Sequence, residues 1–324
     1  MLINKNKYEP FHVLAIIVLS FRVTSLFSET VDPRLTANSD RGEWTLFVIP
    51  DTQHYSQNRG NAPYEYMKAG FEWIVSVRDQ LNIKFVQGLG DITESGSDRI
   101  EWERGQQAWG QLYGKIPFAV NQGNHDSIYS INKYFPVENF SDQPWWGGHY
   151  QGIHNSYQTF NFYGQNYLFV NIQSHDPWGT PNTGARAWAN QIISTHPEHN
   201  VIVGTHDTIE TSTIKIDILN QHDNIVLSNA GHSCAREVRF KTFGPNGGVS
   251  ENFVANYQCD SKETMQLRYY IFKPIDQSVF FYTYSPITGS FEQDYNSQGS
   301  FEIKMEYDSI TNVNTRTWSS IKIR

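Results

Sequence analysis

Polar residues that could bind metal ions end several apolar segments of the sequence. Asp51, Asp91, Asn124, His206 and His232 each follow a run rich in strand-forming residues. Each alone is typical of an ordinary turn, helix cap or surface histidine. In open α/β sheets, however, ligands bind at the carboxyl ends of the strands, so together they predict one site. Oxygen ligands mixed with imidazoles suit a divalent ion such as Zn, Mn or Fe.

The apolar runs before these residues predict the elements that position them. Helical spacing of apolar residues between the runs, as at Met67, Phe71 and Ile74, indicates alternating strands and helices and a layered α/β sheet. Residues 127–165 look irregular, and antiparallel hairpins are expected from about residue 236 onward. The six predicted strands of the first part cover residues 44–49, 83–89, 116–120, 167–172, 201–203 and 225–227.

Composition limits the classes of protein to be considered. The chain has 324 residues, of which 39% are hydrophobic and nine are tryptophan, which is enough for a substantial core. The net charge of −8 argues against a broad nucleic-acid-binding surface. A small anionic substrate stays compatible with that charge because a bound metal inverts the local field.

The N-terminal segment differs from the rest of the chain. Lys5 and Lys7 precede a short apolar run at residues 13–21, and small or polar residues follow it. This pattern is typical of a secretory signal peptide, expected at residues 1–28, with one domain at 29–324. A signal anchor or a buried helix is the alternative. No later segment is long and apolar enough to predict a membrane span.

Five short motifs occur in the order found in the calcineurin-like metallophosphoesterase superfamily, which the chain resembles over roughly residues 44–305. They are Asp51-Thr52-Gln53, Gly90-Asp91, Gly123-Asn124-His125-Asp126, His206, and Gly231-His232-Ser233-Cys234. The first motif resembles the branch that reads Asp-Thr-Gln. The resemblance implies an αββα sandwich of two sheets flanked by helices.

The resemblance also implies a role for each matching residue. Asp91 would bridge two metals, Asn124, His206 and His232 would complete the second metal site, and Asp51 would bind the first metal. His125 would be a general acid beside the leaving group, helped by Asp126. Two cations about 3.5–4 Å apart would then clamp the phosphoryl oxygens and activate a water for attack on phosphorus.

The chain departs from the family pattern at two positions, both belonging to the first metal. Histidine is replaced by Gln53 and by Cys234. The Gln53 carbonyl oxygen is a weaker ligand that suits harder metals such as Mn or Mg. Gln53 could instead bind water or substrate, and the neighbouring His54 could take its place.

Cys234 has two interpretations. As a thiolate it would be a soft metal ligand, and as half of a disulfide it would leave the metal site. A two-residue turn at Asn246-Gly247 would place Cys234 opposite Cys259, the second of the two cysteines. An oxidising secretory compartment favours the disulfide.

The leading hypothesis is therefore a secreted or lumenal hydrolase of phosphomonoesters or phosphodiesters that uses one or two divalent metals. Its partner would be a small phosphate-ester substrate. The alternative is a weakened or inactive binding protein that keeps the fold and has lost the first metal. Several aromatic and histidine side chains could either roof the site or simply pack a loop: Trp145, Trp146, His149, His175 and Trp178.

Overall fold

The computed structural model describes most of the chain beyond the N-terminal segment. The predicted signal peptide at residues 1–28 lies outside the described residues, so it stays a prediction. No helix of the described part has the length and apolar character needed to cross a membrane. The described residues are 31–173, 182–207, 209, 213–234, 236–259 and 263–303.

The first sheet is mixed, with spatial order β13-β12-β11-β1-β2-β3 and with β14 also paired to β12. β1, β2 and β3 run parallel, whereas β1 and β11 are antiparallel. Its strands are β1 (Trp44–Ile49), β2 (Ile83–Gly88), β3 (Phe118–Ala119), β11 (Leu267–Lys273), β12 (Ser278–Ser285), β13 (Ser290–Phe291) and β14 (Gln298–Glu302).

The second sheet has the order β4-β5-β6-β7-β8-β10-β9. The four central strands β6, β7, β8 and β10 are parallel, and both edges are antiparallel hairpins. Its strands are β4 (Trp146–His149), β5 (Ser156–Phe162), β6 (Gln165–Ile172), β7 (Asn200–Thr205), β8 (Ile225–Ala230), β9 (Arg236–Phe243) and β10 (Val249–Asn256).

Helices cover the outer faces of the two sheets, which confirms the predicted αββα sandwich. The α-helices are α1 (Gln53–Gln57), α2 (Tyr64–Ser76), α3 (Arg99–Trp109), α4 (Ile128–Tyr134) and α5 (Thr183–Ser194). Single turns of 3₁₀-helix cover Pro33–Leu35, Ser39–Arg41, Gly110–Leu112 and Val137–Asn139, and a π-helix covers Lys215–Leu219.

The alternation of side chains along a strand explains the two apolar layers of the second sheet. In β6, Tyr167 and Phe169 join the large core that includes the first sheet and the apolar faces of α2 and α3. Leu168 and Val170 point the other way and pack with Ala189 of α5. A strand buried on both faces reads as a continuous apolar run, which is why β6 was predictable.

A buried polar network joins the two sheets. The amide of Gln87 in β2 donates to Asn171 of β6 at 3.0 Å and accepts from Asn229 of β8 at 3.1 Å. Asn171 donates in turn to Gln158 of β5 at 2.9 Å, and Tyr270 of β11 donates to Asn229 at 2.6 Å. Because buried amides are costly when unpaired, these contacts fix how β2 sits over β6 and β8.

Two expectations about local structure are wrong. Residues 127–165 are not irregular, since they contain α4, β4 and β5. β5 was missed because its buried face begins with two polar residues, Ser156 and Gln158, before Phe160 and Phe162. The hairpin of β9 and β10 closes through the five residues 244–248, so paired residue numbers sum to 492. A two-residue turn at Asn246-Gly247 would have given 493.

Candidate metal centre

The loops after β1 and β2 carry two buried carboxylates. Asp51 follows β1 and Asp91 follows β2, and Thr52 donates a backbone hydrogen bond to the Asp91 carbonyl at 3.0 Å. Asp91 has a left-handed backbone with φ of 47°, which is uncommon outside glycine. A side chain on Gly123 would overlap the Asp91 carboxylate, so the glycine of the third motif is required for this close approach.

Asp51 is held by donors from the C-terminal half of the chain. Its Oδ2 accepts hydrogen bonds from Asn256 at 2.7 Å and Gln258 at 3.2 Å, and the backbone N–H of His232 lies 3.2 Å from both carboxylate oxygens. Burial raises the pKa of Asp51 to about 7, despite the opposing effect of nearby His206. Gly231 provides room for the carboxylate, which a side chain there would overlap.

His206 links the two carboxylates. Its Nε2 lies 3.2 Å from Asp91 Oδ2, and its Nδ1 lies 3.7 Å from Asp51 Oδ1. Burial opposes a charge on this ring, but the two carboxylates raise the pKa of His206 to about 10. Burial likewise works against the ionised form of Asp91, yet the contact with His206 holds the pKa of Asp91 below its ordinary value.

Two further ligand candidates, Asn124 and His232, lie close to His206 Nε2. Asn124 Oδ1 lies 3.0 Å from His206 Nε2 and 2.8 Å from His232 Nδ1, and the two ring nitrogens are 3.1 Å apart. Such spacings are those expected of donor atoms around one ion with bonds of about 2.0–2.2 Å. His232 has a left-handed backbone with φ of 72°, which turns its ring towards this point at the end of β8.

The surroundings of these residues fit a divalent cation. Nδ1 of His206 lies 3.0 Å from the Leu89 carbonyl, and such a bond fixes the tautomer that leaves Nε2 available as a ligand. Single ligand atoms of Asp51, Asp91 and His206 all lie within 4.8 Å of one another, and the three residues are buried. Two adjacent buried carboxylates are costly unless a positive charge compensates them.

Gln53 is buried at the start of α1, with 4% of its surface exposed. Its side-chain Oε1 has no hydrogen-bond partner among the described residues. Buried amide oxygens are normally hydrogen-bonded, so we expect a ligand, an ion or a water molecule to bind this atom. The alternative ligand His54 is engaged elsewhere, because its Nδ1 lies 3.0 Å from Glu263.

His125 lies at the mouth of the site. Its backbone N–H donates to Asp91 at 3.0 Å, and its ring Nδ1 lies 2.9 Å from the carbonyl oxygen of Glu94. The Glu94 carboxylate is also near, with Oε2 3.8 Å from Nδ1. The side chain is about one third exposed, and within the described part of the chain Nδ1 is held while Nε2 has no hydrogen-bond partner.

Asp126, the residue expected to help His125, makes its contacts elsewhere. Its carboxylate accepts hydrogen bonds from the backbone N–H groups of Ile92, Thr93 and Gly123 at 2.9–3.1 Å. Burial, with a contribution from Asp91, raises the pKa of Asp126 to about 6. Among the described residues, Asp126 therefore braces the loops after β2 and β3, and Glu94 is the acidic residue beside His125.

Cys234 and Cys259 form a disulfide with a Cα–Cα distance of 5.4 Å. The thiolate interpretation of Cys234 is therefore wrong in this structure. The predicted pairing is correct although the predicted register is not, because both cysteines lie beyond the paired ends of β9 and β10.

Three of the aromatic and histidine residues that could roof the site are described, and two of them, Trp146 and His149, belong to β4. Trp145 is buried and packs against Phe85, Phe140 and Phe160, which supports the packing interpretation for this residue. His175 and Trp178 lie outside the described residues.

Sequence reasoning missed three residues of the site. Asn256 and Gln258 bind Asp51, and Glu94 contacts His125. Asn256 is the last residue of β10 and Gln258 follows it, so the expectation that ligands bind at the carboxyl ends of strands would have found both residues.

Comparison with known proteins shows the fold. No family model matches the chain. Purple acid phosphatase PPD1 from yellow lupin (Lupinus luteus) superposes with a TM-score of 0.54 at 8% identity, covering 85% of this chain and 57% of that one. GAP50, described as the anchor in the inner membrane complex of Plasmodium, gives 0.50 at 11% identity, covering 82% and 90%. The chain has the metallophosphoesterase fold.

In sequence, the chain is similar to the uncharacterized protein YvnB of Bacillus subtilis (strain 168). The two are 28% identical over 204 residues, which is 58% of this chain. The match spans only 15% of the length of YvnB. The likeness therefore adds no activity or substrate to the assignment of the fold.

Proposed function

We propose that this protein is a metal-dependent hydrolase of phosphate esters, with Asp51, Asp91, Asn124, His206 and His232 as metal ligands. The observation that carries the proposal is the convergence of Asn124, His206, His232 and Asp91 on one point, with contacts of 2.8–3.2 Å. Gln53 would add an oxygen ligand beside Asp51. The substrate would be a small phosphomonoester or phosphodiester.

When bound, one or two divalent cations would neutralise the phosphoryl oxygens and activate a water as the nucleophile. The chain's own residues supply the rest of the chemistry. One carboxylate oxygen of Asp91 accepts a hydrogen bond from the His125 backbone N–H, and the other lies next to His206 Nε2. Nδ1 of His125 is held by its contact with the Glu94 carbonyl oxygen, so Nε2 of the same ring can donate a proton to the leaving oxygen.

The location is proposed to be the secretory pathway or the exterior of the cell. The disulfide between Cys234 and Cys259 supports this proposal, because disulfides persist mainly in oxidising compartments. The predicted signal peptide at residues 1–28 is the matching sequence feature.

The second candidate function is a non-catalytic binding protein on the same fold. The observation in its favour is the loss of imidazole ligands at Gln53 and Cys234, the latter being held in a disulfide. GAP50, which has the same fold, is described as an anchor. Against it stand the intact cluster around Asn124 and the position of His125.

The two candidates are separated by measuring hydrolysis of aryl phosphate monoesters and diesters with added Mn²⁺, Zn²⁺ or Fe²⁺. We expect metal-dependent turnover by the wild type and none by Asp91→Ala. Asp223→Ala is a matched control, because this carboxylate binds the loop between β9 and β10. Folded wild-type protein with no turnover under any metal would favour the binding protein.

A further inference from the structure

Buried oxygen atoms without a partner concentrate around the candidate metal centre. In the described part of the chain, three buried side-chain oxygens have no hydrogen-bond partner, and they belong to Gln53, Glu94 and Gln258. Glu94 lies beside His125, Gln258 donates a hydrogen bond to Asp51, and Gln53 lies two residues after Asp51 in the sequence. Unpaired buried acceptors are rare because each has lost its hydrogen bonds to water without gaining a replacement.

The orientation of Gln258 is fixed by the Asp51 carboxylate. Its Nε2 donates to Asp51 Oδ2 at 3.2 Å, and its backbone N–H donates to the Asn256 side chain at 3.0 Å. Only 3% of the residue is exposed. Because both side-chain atoms belong to one amide, the unpartnered Oε1 is held beside the same carboxylate.

The disulfide anchors Gln258 at this place. Cys259, the next residue, is bonded to Cys234, which lies two residues after His232. The backbone N–H of Cys259 also donates to the buried carboxylate of Glu263 at 3.0 Å. The disulfide thus removes the Cys234 thiol as a ligand and ties the segment carrying Gln258 to the loop carrying His232.

We propose that the first cation site of this chain is made of oxygen atoms alone, with Gln258 Oε1 and Gln53 Oε1 joining the carboxylates of Asp51 and Asp91. The proposal rests on the proposed function, because it concerns the cation next to the bridging carboxylate. Carboxylate and amide oxygens are hard ligands that suit Mn²⁺ and Mg²⁺. The neighbouring site, with two imidazoles, suits Zn²⁺ or Fe²⁺ as well as Mn²⁺.

The site is tested by adding Mn²⁺ to metal-free protein. Calorimetry measures how many ions bind and how tightly, and electron paramagnetic resonance detects ions that are magnetically coupled. We expect wild type to bind two coupled Mn²⁺ ions per chain. Gln258→Leu should bind one Mn²⁺ as before and the other about 10–100-fold more weakly. Gln158→Leu is a matched control, since Gln158 is equally buried but bonded at both ends of its amide. Two unchanged Mn²⁺ sites in Gln258→Leu would overturn the proposal.

A second variant, Gln258→Glu, separates ligation from a merely structural role. A carboxylate at 258 would face Asp51, so metal-free protein should melt at a lower temperature than wild type. If residue 258 binds the cation, saturating Mn²⁺ should raise the melting temperature by more than it does in wild type. A Mn²⁺-induced shift no greater than that of wild type would contradict ligation by residue 258.

These outcomes are independent of turnover. Two coupled Mn²⁺ ions and the expected losses in Gln258→Leu, without hydrolysis of any phosphate ester, would contradict the proposed function and support the oxygen-only site. Metal-dependent hydrolysis by wild type, together with two unchanged Mn²⁺ sites in Gln258→Leu, would support the proposed function and contradict the oxygen-only site.

Discussion

His206 Nε2 lies 3.2 Å from Asp91 Oδ2, while its Nδ1 lies 3.0 Å from the Leu89 carbonyl. The ring is thereby fixed at both nitrogens at the bottom of the site. Residues more than 100 positions apart meet here because β2 and β7 deliver their carboxyl ends to one edge of the sandwich. This convergence of distant residues forms the candidate metal centre.

His125 is expected to act on the leaving group and not on the metals. His125→Gln should lower kcat for aryl phosphates by about 10²–10⁴-fold, the usual contribution of a positioned proton donor. The loss should be smaller for substrates whose leaving group needs no protonation. Metal content should equal that of wild type, measured by elemental analysis of the purified proteins. Equal loss for good and poor leaving groups would contradict the proton-donor role.

Glu94 and Asp126 should give different phenotypes, because the Glu94 carboxylate lies 3.8 Å from His125 Nδ1 whereas Asp126 binds the loops after β2 and β3. Glu94→Gln is expected to lower kcat with little change in stability. Asp126→Asn places an amide N–H group against backbone donors and should cost about 1–3 kcal/mol of unfolding free energy. Urea denaturation and kcat measurements on the two variants provide the comparison. A stable Asp126→Asn protein with lowered kcat, beside a destabilised Glu94→Gln protein, would contradict this assignment of the two roles.

Residues of this site could be predicted where neighbouring residues in the sequence form a recognisable pattern. They could not be predicted where a contact depends on the backbone or on residues distant in sequence. β1 is apolar apart from Thr45, and β2 has apolar residues at Ile83, Phe85 and Val86, so both strands and the carboxylates that follow them were apparent in the sequence. Glu94 was missed because its contact with His125 uses the backbone carbonyl, which no side-chain pattern encodes. The hairpin register was wrong by one because loop length depends on Asp223, a residue distant in sequence that binds residues 246 and 248.

His154 should make stability fall in mild acid. The ring is buried, and burial lowers its pKa to about 4. Its Nδ1 faces the Asn132 side-chain N–H at 3.0 Å, and that amide is oriented by donation from Ile153 to its oxygen. The folded-state pKa lies below the unfolded value, so this contribution is present above about pH 6.5 and is lost as pH falls towards 4.

The expected slope for that single proton is at most about 1.4 kcal/mol per pH unit. Chemical denaturation of wild type and His154→Gln between pH 7 and 4.5 measures it, and the variant should lose less stability than wild type over this range. His196→Gln is a control at a partly buried histidine just beyond the end of α5. Parallel pH profiles for wild type and His154→Gln would contradict this assignment.

The cluster of Asp91, Asn124, His206 and His232 is proposed to bind a catalytic metal. This proposal is tested by the hydrolysis rate of an aryl phosphate by chelator-treated protein during titration with Mn²⁺. We expect turnover to disappear with the metal and to return as Mn²⁺ binds in wild type, but not to return in Asp91→Ala. Turnover that persists in metal-free wild type, or that Mn²⁺ restores equally in Asp91→Ala, would contradict it.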